Sequence, residues 1–211
     1  MAKILSKGFR KEPEEYPARP PMKKILVCNQ KGGVGKSLVA DELAFSFART
    51  GVPVAFLDLD SQGGTLHKTD QRTDAVVAVI DTPGALQKQM GAWMAEADII
   101  VIPTRTTSRD IEPLLRMMEI VRANAADKPT LYVLNGWNRW KASSDFRDWF
   151  KQQRRAGEAK IVTLPQSEQF VQAGAAGVSV VEYGRKSAAA KATLEMVNEV
   201  RVMAGFEPEE V

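Results

Sequence analysis

At 211 residues and 23.2 kDa the chain is the size of one ordinary domain, long enough to bury a substantial core. Its 44% hydrophobic and 26% charged residues make a globular composition, not a disordered one. No apolar run reaches the ~18–20 residues that span a bilayer, and the polar start lacks a signal-peptide core. One cysteine, Cys28, and one histidine, His67, leave no internal disulfide, zinc finger or iron–sulfur cluster. A soluble, cytoplasmic protein is expected.

The net charge of +3 is unevenly placed. Residues 1–24 hold seven basic side chains against three acidic ones, and the remaining 187 carry 22 basic and 23 acidic groups. Pro13, Pro17, Pro20 and Pro21 interrupt the first stretch, so residues 1–22 read as a flexible basic leader and 23–211 as the folded domain. Such an arm suits nucleic acid, anionic lipid or an acidic protein, and equally a leader that only aids solubility.

Along the body, apolar runs at Ile25–Asn29, Val54–Leu59, Val76–Ile80, Ile99–Ile102, Leu131–Leu134 and Lys160–Leu164 predict strands. Helical patterns cover Lys36–Arg49, Ala85–Ala95, Asp110–Ala125, Ser144–Arg155, Ser167–Ala176 and Ser187–Ala204. Alternation at this spacing predicts an α/β fold, a doubly wound, mostly parallel sheet with helices on both faces. Ligands of such sheets sit at the carboxyl ends of the strands, so the loops after each run are where chemistry belongs.

After the first run comes Asn29-Gln30-Lys31-Gly32-Gly33-Val34-Gly35-Lys36-Ser37. The glycines let successive N–H groups turn toward an anion, and the next helix aims its positive end at the same place. Lys36 suits the β- and γ-phosphates and Ser37 a Mg²⁺ ion. A chance glycine-rich turn is a poor rival, because strand, loop and helix occur in the required order. The Lys-Gly-Gly-x-Gly-Lys-Ser form, with Gln30 where the ordinary motif has glycine, resembles the deviant Walker A loop of the ParA/MinD ATPases, members of the P-loop NTPases. The resemblance implies ATP and Mg as cofactors, contacts to nucleotide from Lys31 through Leu38, and a Lys31 that crosses to a partner's nucleotide in an ATP-dependent homodimer. Leu38 departs from the pattern, which usually has a small hydroxyl residue there to help hold the α-phosphate.

The second run ends Leu57-Asp58-Leu59-Asp60-Ser61-Gln62-Gly63-Gly64, which looks like the family's Asp-x-Asp-Pro-Gln-Gly with Ser61 for proline. Strand alternation puts Asp58 and Asp60 on one face. The resemblance makes Asp60 the catalytic residue that orients the attacking water, with Lys31 and Lys36 stabilising phosphate charge, and puts Asp58 near the Mg²⁺ shell. The third run ends Asp81-Thr82-Pro83-Gly84, similar to the family's Walker B strand and switch loop, with Asp81 the expected metal carboxylate. Between Gly64 and Val76 lie eleven residues, too few for extra helices, so the chain resembles the compact plasmid type.

Asn135 follows the fifth run where some relatives read adenine; a plain turn residue is its rival. Leu164-Pro165-Gln166-Ser167 resembles the stretch that flanks the base, so Pro165 and Gln166 join the expected cofactor-binding set. The likeness covers roughly residues 24–183. Phe146, Trp149 and Phe150 fall at core spacing within an aromatic and basic cluster that also holds Trp137, Trp140, Arg139, Lys141 and Arg147. Lys151, Arg154, Arg155 and Lys160, with Arg185, Lys186 and Lys191, offer a phosphate-tracking stripe or simply a solvated face. Ala190, Leu194, Val197 and Val200 read as core, Cys28 as a small buried hydrophobe, and His67 as loop surface. The acidic end, Glu207 to Val211, is unlike the basic membrane helix of MinD-type proteins, so no membrane attachment is expected.

These features predict a ParA-like ATPase, nucleoid-associated when ATP-bound, that binds DNA nonspecifically, works with a DNA-bound adaptor of ParB type and partitions a plasmid or other cargo. Two alternatives stand beside it: positioning of conjugation, flagellar or other machinery by protein contact without DNA, and an ATP-dependent small-molecule ligase on the same fold.

Overall fold

The computed structural model describes residues 21–61, 63–70, 72–84, 89–154 and 159–210. The leader through residue 20, Gln62, and parts of the helices expected over 85–95 and 144–155 lie outside the described residues. Among the described residues six strands form one sheet: β1 (Lys23–Val27), β2 (Val54–Asp58), β3 (Val77–Asp81), β4 (Ile99–Arg105), β5 (Thr130–Trp137) and β6 (Lys160–Pro165). The order is β2-β3-β1-β4-β5-β6 and every pairing is parallel. The chain leaves β1 toward β2 and β3, then crosses to β4 on the other side, so β1 flanks the crevice where such folds bind ligands. Val27 pairs with Asp81, which pairs in turn with Asp58, so three strand ends stand level.

Alternation along each strand splits the core in two. Ile25, Val27, Val79 and Val101 face α1 (Lys36–Arg49) and α7 (Ala188–Met203), with Leu43, Phe47, Val197 and Val200 packed between. Leu26, Cys28, Ile100 and Tyr132 face α2 (Met90–Glu96), α3 (Ile111–Asn124) and α4 (Lys141–Gln153). On α4, Phe146 and Phe150 are buried one turn apart, and Phe150 meets the Tyr132 ring edge-on at 4.9 Å. Cys28 is fully buried, and desolvation pushes its thiol up to about 12, so it acts as a hydrophobe.

α5 (Glu168–Ala176) and α7 start at serines whose hydroxyls accept backbone N–H groups, Ser167 from Gln169 and Ser187 from Ala190. A four-residue helix, α6 (Val180–Tyr183), was not expected; it is capped the same way by Ser179. β4 and β5 run past their apolar segments because Thr104 and Arg105 keep pairing with Leu134 and Asn135. α4 begins three residues before the expected start, where Asn138 Oδ1 accepts Trp140 N and the Ser143 hydroxyl.

Candidate nucleotide site

The loop between β1 and α1 starts at Asn29, whose buried side chain donates to the Pro103 carbonyl and accepts Lys31 N, fixing the first turn. Gly33 (φ +70°) and Gly35 (φ +98°) supply the left-handed backbone that curls it. Gly35 is the N-cap of α1 and offers no side-chain acceptor, so the first-turn N–H groups of the helix have no capping side chain from it. Asn135 Nδ2 donates to the Val34 carbonyl at 2.9 Å, pinning the loop from β5. Lys36 is buried, with Nζ 3.4 Å from the Lys31 carbonyl. Desolvation lowers its pKa, opposed by the charges of Asp81 and Asp60. A desolvated ammonium among carboxylates at a helix start is a place for a polyphosphate.

Ser37 Oγ donates to Asp81 Oδ2 at 2.7 Å. Asp81 is fully buried, and its Oδ1 has no hydrogen-bond partner. Burial pushes its carboxyl up to about 6, with Ser37 and Lys36 pulling down and Asp58 and Asp41 pushing up. An orphaned buried carboxylate oxygen beside a hydroxyl fits Mg²⁺, which takes one or two protein oxygens and fills its shell with phosphate and water. Gly84 lies against the loop: a Cβ there would stand 2.9 Å from Gly32 Cα and 3.1 Å from Lys36 Nζ.

Leu59 N donates to the Asp81 carbonyl, so the chain leaving β2 passes over the end of β3. Asp58 accepts Asp60 N at Oδ1 (2.9 Å), and the Thr65 hydroxyl lies 2.8 Å from its Oδ2, so both oxygens brace the loop that carries Asp60. Lys31 points along its own chain. Its Nζ is 2.5 Å from Asp110 Oδ1 and 3.2 Å from the Arg109 carbonyl. Asp110 is buried before α3 and shares a capping box with Thr107.

Gln166 N donates to the Trp137 carbonyl, and Gln166 and Asn135 line a cavity of about 660 Å³ with Ile111, Trp140, Phe146 and Trp149. Pro165 ends β6 opposite Trp137. Leu38 is half-buried on the first turn of α1. Of the aromatic cluster, Trp140 is 73% exposed, and the Arg147 guanidinium lies over the Trp137 ring at 4.9 Å. Lys160 pairs with Glu199, and Lys151 and Arg154 share a groove with Glu195 and Glu199, so acidic groups interrupt that basic stripe.

His67 lies on the loop after β2, as expected, but half-buried against its neighbours instead of on open surface. Its Nδ1 is 2.8 Å from Asp41 Oδ1, and its ring stacks on Phe56. Asp41 and Asp110 escaped the sequence reading altogether. Each looks like an ordinary helical carboxylate, and the only available signal was an acidic side chain on a face that is otherwise buried.

A parallel sheet with a glycine-cradled helix start, a buried lysine and a serine–aspartate pair beyond it defines the P-loop NTPase class. A family profile described as the CobQ/CobB/MinD/ParA nucleotide binding domain matches residues 25–180, and the chain belongs to that family. It is similar to the chromosome partitioning protein ParA of Caulobacter vibrioides, 30% identical over 128 residues, 54% of this chain and 47% of that one. Protein IncC of Escherichia coli is 46% identical over 54 residues, 26% of this chain and 15% of that one. The chain thus spans half or less of the curated relatives it matches. A Cyanothece McdA variant in complex with ATP shares the fold at TM-score 0.72 and 18% identity, covering 90% of this chain and 98% of that one. MinD of Pyrococcus furiosus does so at 0.64 and 16%, covering 86% and 99%. Among the described residues no helix is long and apolar enough to cross a membrane.

Proposed function

We propose that the chain is a ParA-type ATPase that binds ATP with Mg²⁺, pairs face to face with a second copy, binds DNA without sequence preference and uses hydrolysis to partition a plasmid or other cargo with a DNA-bound adaptor. The observation that carries the reading is the buried Lys36 ammonium at the start of α1, one residue before a serine bonded to Asp81 Oδ2, with Asp81 Oδ1 left without a partner. Ser37 and Asp81 would hold the magnesium, which supplies charge neutralisation at the β- and γ-phosphates when bound. Loop N–H groups and Lys36 bind and orient the phosphates, and Asp60 holds the attacking water in line. Lys31 is the cation that would cross to the partner's site on leaving Asp110.

The test is ATP turnover, with light scattering in ATP against ADP, with and without nonspecific DNA. Lys36→Ala and Asp60→Ala are expected to lower turnover by about 100-fold or more, as loss of a transition-state charge or water-orienting group does. Turnover unchanged in both would overturn the reading. The interrupted stripe around Lys160 favours a second reading, positioning of cargo by protein contact alone. ATP-stimulated DNA binding that weakens steeply with salt supports partition, and no binding at low salt supports the second reading.

A further inference from the structure

We propose that Asp41 and His67 form a clasp that holds the Asp60 loop across the first turn of α1, which makes both of them positioning residues for hydrolysis; this rests on the ATPase reading above. Asp41 lies one turn beyond Ser37 on α1 and is 4% exposed. A carboxylate buried in mid-helix is costly unless it is bonded. Here it accepts Leu66 N at 2.8 Å, His67 N at 3.0 Å and the His67 Nδ1–H at 2.8 Å, three donors from one short stretch of the loop. The His67 ring is fixed in turn, stacked on Phe56 of β2 with centroids 5.2 Å apart and meeting the Phe45 ring of α1 edge-on at 4.4 Å.

Asp58 holds the same loop to β2 at two points, through Asp60 N and through the Thr65 hydroxyl. Between those two contacts stand Gly63 (φ +71°) and Gly64 (φ +131°), a pair with unusually wide backbone freedom. A Cβ on Gly64 would lie 3.5 Å from Ser37 Oγ, so Gly64 stands beside the residue proposed to hold magnesium. The Asp58 contacts alone would fix the loop to β2 and leave it free to shift relative to α1. The Asp41 contacts tie it to the helix that begins at Lys36, and so tie the position of Asp60 to that of the phosphates. Placing a water for in-line attack needs that tolerance, and about 1 Å of misplacement costs roughly 100-fold in rate.

Steady-state ATP hydrolysis by the full chain, with ADP affinity from calorimetry, decides the matter. Asp41→Ala and His67→Ala are expected to lower kcat about ten-fold while KM and ADP affinity stay within about two-fold, a split that loss of phosphate binding does not give. His67→Asn, whose side-chain amide can stand where Nδ1–H stands, is expected to recover most of the lost kcat. The clasp is overturned if the alanine variants keep kcat while Asp60→Ala abolishes turnover. It is equally overturned if kcat and ADP affinity fall together, or if His67→Asn is no better than His67→Ala. A wild-type chain that hydrolyses no ATP overturns the ATPase reading itself, and the clasp's role with it. His67 is half-buried on the loop and not in the helix, so its two variants decide the point should Asp41→Ala fail to fold.

Discussion

A methyl group at position 35 has no room. The backbone there is at φ +98°, and a Cβ would stand 2.1 Å from Asn135 Nδ2, the amide that holds the Val34 carbonyl. Left-handed strain of about 1–2 kcal/mol adds to overpacking of about 1–3 kcal/mol. Gly35→Ala is therefore expected to lower unfolding free energy by about 2–5 kcal/mol in urea titration and to weaken ADP binding severely in calorimetry. Residues of this kind are legible in a sequence because the backbone shape dictates their type. Gly35, Lys36 and Ser37 announce themselves in order, and the buried Asp81 is announced by the apolar strand before it. Asp41, His67 and Asp110 carry no such mark. Their roles come from partners 26 and 79 positions away, which nothing local specifies.

At the scale of elements, apolar patterning finds segments that face a core on one side, and α1 shows both its reach and its limit. Its bounds follow from the loop before it and the Gly51 turn after it, while Asp41 and Glu42, buried side by side in its middle, contradict a simple apolar stripe. Glu42 accepts Ser179 Oγ and Val180 N, so it holds the start of α6 against α1. That explains why α6 was invisible: four residues are too few for a period, and its anchor is a distant carboxylate. Burial raises the Glu42 carboxyl above its ordinary 4.5, despite the Ser179 and Val180 bonds that pull it down. The unfolded chain then releases this proton first as pH rises. The stability tied to Glu42 is complete below about pH 4.5 and is lost as pH climbs through its raised folded value. Glu42→Gln keeps an acceptor for Val180 N and cannot ionise. Its urea midpoint is expected to match wild type near about pH 4 and to exceed it at neutral pH. A variant less stable at both would show that the carboxylate is wanted charged.

For the whole molecule, the parallel sense of the described strands follows from the alternation of runs, whereas the order β2-β3-β1-β4-β5-β6, with β3 inserted between β1 and β2, departs from simple outward winding and has no local signal. What a single chain's sequence does not display is where a long cation rests between tasks. Lys31 rests in cis, on a buried Asp110 that Thr107 also holds, while the proposed dimer needs it on the partner's phosphates. The two uses compete for one ammonium, so the cis pair opposes dimerisation by whatever it contributes to the monomer. A charge-assisted bond of this sort is worth about 1.5–3 kcal/mol. Asp110→Asn keeps an oxygen for the capping box with Thr107 but gives up the charge that holds Lys31. In ATP and Mg²⁺, its dimer is expected to form at a protein concentration lower than wild type by about ten-fold or more, at least about 1.4 kcal/mol, since each dimer releases two such pairs. Lys31→Ala is expected to lose the ATP-dependent dimer altogether. Sedimentation velocity across a concentration series reads both, with unchanged melting of Asp110→Asn as the control. An unchanged dimer constant would mean that Lys31 does not leave Asp110 when the subunits meet.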